Sequence, residues 1–304
     1  MLEDIACTIC IFLSKRCYES GHNAMRCFVK LCASVKKGAC QLQQQATLVS
    51  CAVSPNLPNV RILTMDRPPV NSLNEDMLNS LCDSMKQCND DPNVQGIILK
   101  SACPKAFSAG FDLGYCLSLD ADGMRRFGRA LFNMWQSVYG NKCAVISAIH
   151  APAIAGGCLI TSSTDYRIAK ASARVGLTEA LLGIVSPLFL LATINRLTGY
   201  RNCELLFGFG SLYKGEEAKN IGLVDAVIED SDDLDSKCHE VMKKYLAVAE
   251  VGRVGTKLAL RAPVLDEMKR RQQEIEDDFV KLRTREETHK AIRDYYDKLQ
   301  ARKK

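Results

Sequence analysis

From Val60 onward the chain alternates short apolar runs with longer segments whose apolar residues recur every three or four positions, and this alternation restricts the fold more than any other feature. Val60, Ile62, Leu63 and Met65 read as a strand that ends at Asp66-Arg67-Pro68-Pro69, because proline cannot extend a ladder. Asn74 is placed to cap a helix in which Met77, Leu78, Leu81 and Met85 share a face, and Asp90-Asp91-Pro92-Asn93 ends it. Val94 to Lys100 is a buried strand, Met124 to Val138 a helix by its spacings of three and four, and Cys143 to Ile149 the next strand. Parallel neighbours need crossovers, so an order of βαβα predicts an α/β fold: a mostly parallel sheet with helices on its faces.

Further along, Gly156 opens a helix, and Tyr166 to Ala169 and Val175 to Leu177 read as strands. Ser186-Pro187 starts a helix that Gly199 is expected to stop; Lys214 to Asn220 forms another before a strand from Leu223 to Ile228. Everything beyond Asp232 reads helical. In the terminal part Phe279, Leu282, Ile292, Tyr296 and Leu299 form an interrupted apolar stripe, suited to covering a site or packing on another subunit.

Composition excludes several classes. With 47% apolar and 25% charged residues in 304, the chain has enough length for one sizeable core plus appendages. A net charge of +5 from 40 basic and 35 acidic residues, scattered rather than clustered, points to a solvated mixed surface and not to nucleic acid. The 15 cysteines are odd in number in a long chain, and read as reduced thiols; no CxxC pair with histidine partners supports a metal site. No apolar run approaches the roughly twenty residues a membrane span requires. Residues 1–45 differ from the rest: Lys15, Arg16, Arg26, Lys30, Lys36 and Lys37 outnumber Glu3, Asp4 and Glu19, a bias that fits a mitochondrial import leader. The ending Ala301-Arg302-Lys303-Lys304 is not a peroxisomal signal.

Chemistry concentrates in three segments. Two small-residue turns follow apolar runs: Phe107-Ser108-Ala109-Gly110-Phe111-Asp112-Leu113, and Ala155-Gly156-Gly157-Cys158-Leu159. Residues without bulk let two backbones aim N–H groups at one oxygen, and the N–H groups of Ala109 and Gly156 are the candidate donors. The third, Gly176-Leu177-Thr178-Glu179-Ala180-Leu181-Leu182-Gly183-Ile184, sets one carboxylate among apolar neighbours, which should raise its pKa and strengthen it as a base. Asp112 is placed either to cap the following turn or to meet substrate, and His150 reads as a loop histidine.

In this order the three segments resemble the crotonase (enoyl-CoA hydratase/isomerase) superfamily, and the likeness continues through Asp165-Tyr166-Arg167-Ile168-Ala169, Gly183-Ile184-Val185-Ser186-Pro187 and Ala218-Lys219-Asn220-Ile221-Gly222-Leu223-Val224-Asp225. His150-Ala151-Pro152-Ala153-Ile154 departs from the Asn-Gly start common in this loop. The resemblance implies a ββα superhelix with mostly parallel sheets over residues 46–250, and a C-terminal helical trimerisation region over 251–304. It also implies substrate contacts at Ser108, Ala109, Gly110, Phe111, Asp112 and Gly156, with an acyl-CoA as substrate and no metal or other cofactor.

Hydratases of this family carry one glutamate two residues after the second glycine and another in the strand-to-helix segment; here the first position is Leu159 and the second is Glu179. A lone acid/base suits a double-bond shift, so the pattern is most similar to the mitochondrial Δ3,Δ2-enoyl-CoA isomerases, with Asn71-Ser72-Leu73 and Leu177-Thr178-Glu179 strengthening the match. A matrix homotrimer is what that similarity implies. The alternatives are another crotonase reaction, such as hydration, dienoyl-CoA isomerisation or thioester hydrolysis, and a noncatalytic relative that uses the fold for binding, RNA included.

Overall fold

The computed structural model describes residues 48–301, and the leader expected over residues 1–45 lies outside the described residues. β1 (Val49–Ser54) and β2 (Leu57–Met65) pair antiparallel, and β3 (Gly96–Ser101), β4 (Ala144–Ile149), β6 (Tyr166–Lys170) and β9 (Ala226–Ile228) continue the sheet in parallel from β2. A second sheet joins β5 (Ala153–Ile154), β7 (Arg174–Gly176) and β8 (Leu212–Lys214). The mostly parallel α/β architecture is therefore the one that the alternation of apolar runs predicts. β1 is an addition: its ends, Val49 and Ser54, are buried and the four residues between them exposed, so it has no apolar alternation to reveal it.

Helices cover both faces of the larger sheet. On one side α1 (Glu75–Asp90), capped by the Asn74 side chain, and α3 (Ala121–Tyr139) bury Met77, Leu81, Phe127, Leu131 and Trp135 against Leu63, Ile97 and Leu99. Trp135 stacks on Tyr139 at 5.3 Å between ring centroids and donates its indole N–H to Thr193 Oγ1 at 2.9 Å, so the large ring is buried with no donor lost. On the other side α7 (Leu234–Leu246) sets Cys238, Val241 and Met242 on Val60, Ile98, Ile146 and Ile168.

Gly199 does not end its helix. α5 (Leu188–Phe209) breaks there, at φ 73°, and resumes. Burial explains the continuation: Phe189, Leu190 and Ile194 are buried before the break, Cys203 and Leu206 after it, so the far segment has its own apolar anchor.

Three more helices complete the described chain: α8 (Glu250–Arg270), α9 (Gln272–Arg283) and α10 (Glu286–Ala301). α8 is tied down by Asp165, whose carboxylate pairs with Lys257 at 2.6 Å and Arg261 at 2.7 Å and accepts from the Val145 N–H at 2.8 Å. α9 packs on α3, and α10 lies over α2 (Leu113–Ser118) and the 3-10 turn Glu179–Leu182. None of the described helices is long and apolar enough to cross a membrane.

Candidate active site

The two small-residue turns emerge from the carboxyl ends of β3 and β4, neighbouring parallel strands, which is the edge at which open α/β sheets receive ligands. Hydrogen bonds stitch the turns together: the Phe107 N–H donates to the Pro152 carbonyl at 2.9 Å and the Ile154 N–H to that of Ser108 at 3.0 Å. Glycine is required at two points of closest approach. A Cβ on Gly110, at φ 86°, would lie 2.9 Å from Ala155 Cβ, and one on Gly157 would lie 2.5 Å from the Ser108 carbonyl oxygen. Gly157→Ala should therefore push the turns apart, lowering stability by about 1–3 kcal/mol in urea unfolding and lowering activity with it.

Between the turns stands Ala155, a non-glycine residue at φ 53° whose N–H is held by the Gly176 carbonyl at 2.9 Å. Such a conformation costs about 1–3 kcal/mol and persists where surrounding structure imposes it. It delivers the first residue of α4 (Gly156–Ser162) with its N–H free of any protein acceptor among the described residues.

The second expected donor differs. The Ala109 N–H already donates to the Val70 carbonyl at 3.0 Å. Two residues on, Leu73 donates to the Gly110 carbonyl at 2.8 Å and accepts from the Asp112 N–H at 2.9 Å, which leaves Phe111 between those bonds with its own N–H turned away from Leu73. That N–H has no protein acceptor among the described residues. A free donor thus stands at the mouth of each turn, that of Phe111 in the first and that of Gly156 in the second. The only signal in the sequence was Gly110 itself: a residue at positive φ reverses the chain, so the residue after it faces the opposite turn.

Ser108 is buried, donates its hydroxyl to the Asn71 carbonyl at 2.7 Å and accepts from the Gly110 N–H at 3.3 Å, so its side chain shapes the turn. Asn71, also buried, donates to Ser101 Oγ at 2.8 Å and to the Phe107 carbonyl at 3.1 Å while accepting from the Arg67 N–H at 2.7 Å. Asp112 caps α2 by accepting from the Tyr115 N–H at 3.1 Å and pairs with Arg67 at 2.7 Å. His150 Nε2 is hydrogen-bonded to the Cys103 carbonyl at 3.0 Å, as expected of a satisfied loop histidine.

Glu179 opens the 3-10 turn Glu179–Leu182, where it is 7% exposed and its Oε2 has no hydrogen-bond partner among the described residues. Burial pushes its carboxyl up from the usual range; its own backbone N–H and the positive charge of Arg283 oppose this more weakly. Leu177, Leu182 and Ile184 are buried around it in sequence, and Leu182 and Ile184 pack with Ile292 of α10 and with Leu113 and Leu117. Cys158 lies near enough to feel the Glu179 charge, but burial drives its thiol up to about 12, which leaves it un-ionised at neutral pH. Leu159, next along α4, is fully buried.

An α/β sheet that presents paired backbone donors and a desolvated carboxylate at one edge is an enzyme scaffold for chemistry beside a carbonyl. Residues 57–304 match the enoyl-CoA hydratase/isomerase family, and the chain belongs to it, as an enzyme acting on acyl-CoA. It is 32% identical over 247 residues to the mitochondrial enoyl-CoA delta isomerase 1 of Rattus norvegicus, an alignment covering 80% of this chain and 85% of that protein. It is also 32% identical over 193 residues to the short-chain-enoyl-CoA hydratase of Clostridium acetobutylicum, covering 63% of this chain and 74% of the relative. The crystal structure of human mitochondrial delta3-delta2-enoyl-CoA isomerase superposes with a TM-score of 0.81 at 27% identity, covering 84% of this chain and 100% of the other.

Proposed function

We propose that the protein is a Δ3,Δ2-enoyl-CoA isomerase that converts 3-enoyl-CoA to trans-2-enoyl-CoA in the β-oxidation of unsaturated fatty acids. The observation that carries this reading is the single desolvated carboxylate of Glu179 in a site where Leu159 stands at the position of a hydratase's first glutamate. Glu179 removes a proton from C2; the negative charge moves onto the thioester oxygen, which accepts hydrogen bonds from the Phe111 and Gly156 N–H groups; Glu179 then returns the proton at C4. Each donor is worth about 3 kcal/mol to the dienolate, because it is aimed before the charge develops. The shift is redox-neutral and the thioester brings its own activating carbonyl, so the chemistry calls on no metal or further cofactor. Backbone from Ser108 to Asp112 and Gly156 would line the thioester.

The same reading assigns the chain to the mitochondrial matrix, in keeping with its mitochondrial relatives, and to a homotrimer built through residues 251–304. Val251 and Leu260 on α8 are 88% and 75% exposed, an apolar surface suited to such a contact.

Incubation with 3-hexenoyl-CoA and with 2-hexenoyl-CoA, following isomerisation and hydration separately, tests the assignment. Isomerisation should exceed hydration by about 100-fold or more, since water addition lacks a second acid/base. Hydration at a comparable rate, or hydrolysis to free CoA, would replace it with another family reaction; acyl-CoA binding without turnover would make the chain a noncatalytic relative.

A further inference from the structure

Arg283 closes α9 with 4% of its surface exposed, and neither Nε nor Nη2 has a hydrogen-bond partner among the described residues. The other two buried arginines of the described residues are each matched to a carboxylate: Arg167 to Asp225 at 2.6 Å and Arg261 to Asp165 at 2.7 Å. Arg283 pairs with none. Its guanidinium carbon lies 3.6 Å from the centroid of the Phe279 ring and 5.8 Å from that of Phe111. Phe111 stands in turn against the second turn, its Cε1 3.1 Å from where a Cβ on Gly156 would be. One aromatic ring therefore separates the guanidinium from the free backbone donors. The charge of Arg283 also reaches Glu179, without an ion pair between them.

The energetics leave this cation short of compensation. Taking it out of water costs several kcal/mol after relaxation, and stacking on Phe279 returns about 0.5–2 kcal/mol. Burial, opposed more weakly by Cys116 and Glu179, drives its pKa down to about 10, which leaves it charged at neutral pH. Aromatic contact occupies the face of a planar guanidinium, while its hydrogen-bonding capacity lies in the edge, where the unpartnered Nε and Nη2 form the fork that accepts a carboxylate bidentately. A neutral hydroxyl would satisfy one donor and leave the charge unbalanced; a carboxylate satisfies both.

We propose that Arg283 is a specificity-determining residue that receives a carboxylate carried by the acyl chain, so that the preferred substrates are CoA monothioesters of unsaturated dicarboxylic acids. This rests on the reading of the site as one for enoyl-CoA. With the substrate in place Arg283 would stand between two carboxylates, the ligand's and that of Glu179, and hold both ionised in a dry site.

Binding of unreactive saturated esters tests the idea without calling on isomerisation. Calorimetric affinities of hexanedioyl-, octanedioyl- and decanedioyl-CoA would be compared with those of hexanoyl-, octanoyl- and decanoyl-CoA, in the wild type, Arg283→Met and Arg283→Lys. At the acyl length that reaches Arg283 the wild type should prefer the carboxylated ester by about tenfold or more, and Arg283→Met should lose about 30-fold on that ester while keeping the plain one within about threefold. Arg283→Lys should retain part of the preference, having the charge without the fork. A wild type that binds the plain esters as well as or better than the carboxylated ones at every length overturns the proposal, whether or not the variants fold. Equal losses on both series in Arg283→Met overturn it too, by assigning the residue to the CoA portion they share. Failure of 3-hexenoyl-CoA to isomerise would sink the isomerase reading alone, whereas failure of all the esters to bind would sink both.

Discussion

Glu179→Gln is expected to slow 3-enoyl-CoA isomerisation by about 1,000-fold or more, while acyl-CoA affinity stays within about threefold of the wild type. The amide keeps the shape of the carboxylate but cannot take a proton from carbon, and the backbone donors proposed for the thioester oxygen are untouched. The wild-type pH profile carries the same signature. Burial raises the Glu179 carboxyl, so activity should rise with pH along a limb displaced upward from the ordinary carboxylate range. Stability should move the other way. A carboxyl held more tightly protonated in the folded than in the unfolded chain loses stability as pH climbs from the ordinary carboxylate range through its raised value. Glu179→Gln, which removes the buried charge, should therefore melt higher than the wild type at pH 8, by on the order of 1 kcal/mol, and the difference should close in acid. Full isomerase activity in the variant would remove Glu179 from the mechanism; an unchanged melting difference across pH would remove the desolvation argument.

Asp165→Ala should be the most damaging substitution outside the turns, costing about 3–5 kcal/mol in urea unfolding. The carboxylate is 7% exposed at its side chain and holds two cations, Lys257 and Arg261, along with the Val145 N–H. Its removal strands both. Burial already drives Lys257 down to about 8 against the pull of Asp165, so loss of that carboxylate leaves the ammonium with the burial cost and without its main opposing attraction. The double variant Asp165→Ala with Arg261→Met should recover part of the loss, since one stranded charge is then gone; if it is no more stable than the single variant, the buried cations are not what the carboxylate offsets.

What could be read in the sequence was whatever depends on periodicity and side-chain chemistry close in the chain. The strand at Val60, the buried run Gly96-Ile97-Ile98-Leu99, the Asn74 cap and the placement of Glu179 among leucines and isoleucines all have local signatures. Where dihedral angles or distant partners decide, the letters were silent. Ala109 looked the better donor because it is small, yet backbone direction, set by Gly110 at φ 86°, aims Ala109 at Val70 and frees Phe111. Gly199 carries the mark of a helix stop, but burial on both sides of it keeps the chain helical. The stripe of Phe279, Leu282, Ile292, Tyr296 and Leu299 was legible as apolar without showing its target; the structure seats Ile292 on Leu182 and Ile184 of the same chain, and brings the Tyr296 hydroxyl to 3.0 Å from where a Cβ on Gly114 would be. Arg283, set within that stripe, shows its significance only by its missing counter-ion.

α10 is the final described element, and it packs on the 3-10 turn that Glu179 opens, seating Ile292 against Leu182 and Ile184. During synthesis Glu179 is therefore made before the helix that covers its turn, and a nascent chain carries a more hydrated glutamate than the folded protein does. Proteolytic loss of the 16 residues Glu286–Ala301 would return the molecule to that juvenile state with each reacting atom intact. The raised carboxyl of Glu179 thus depends on α10 as much as on the turn that carries it.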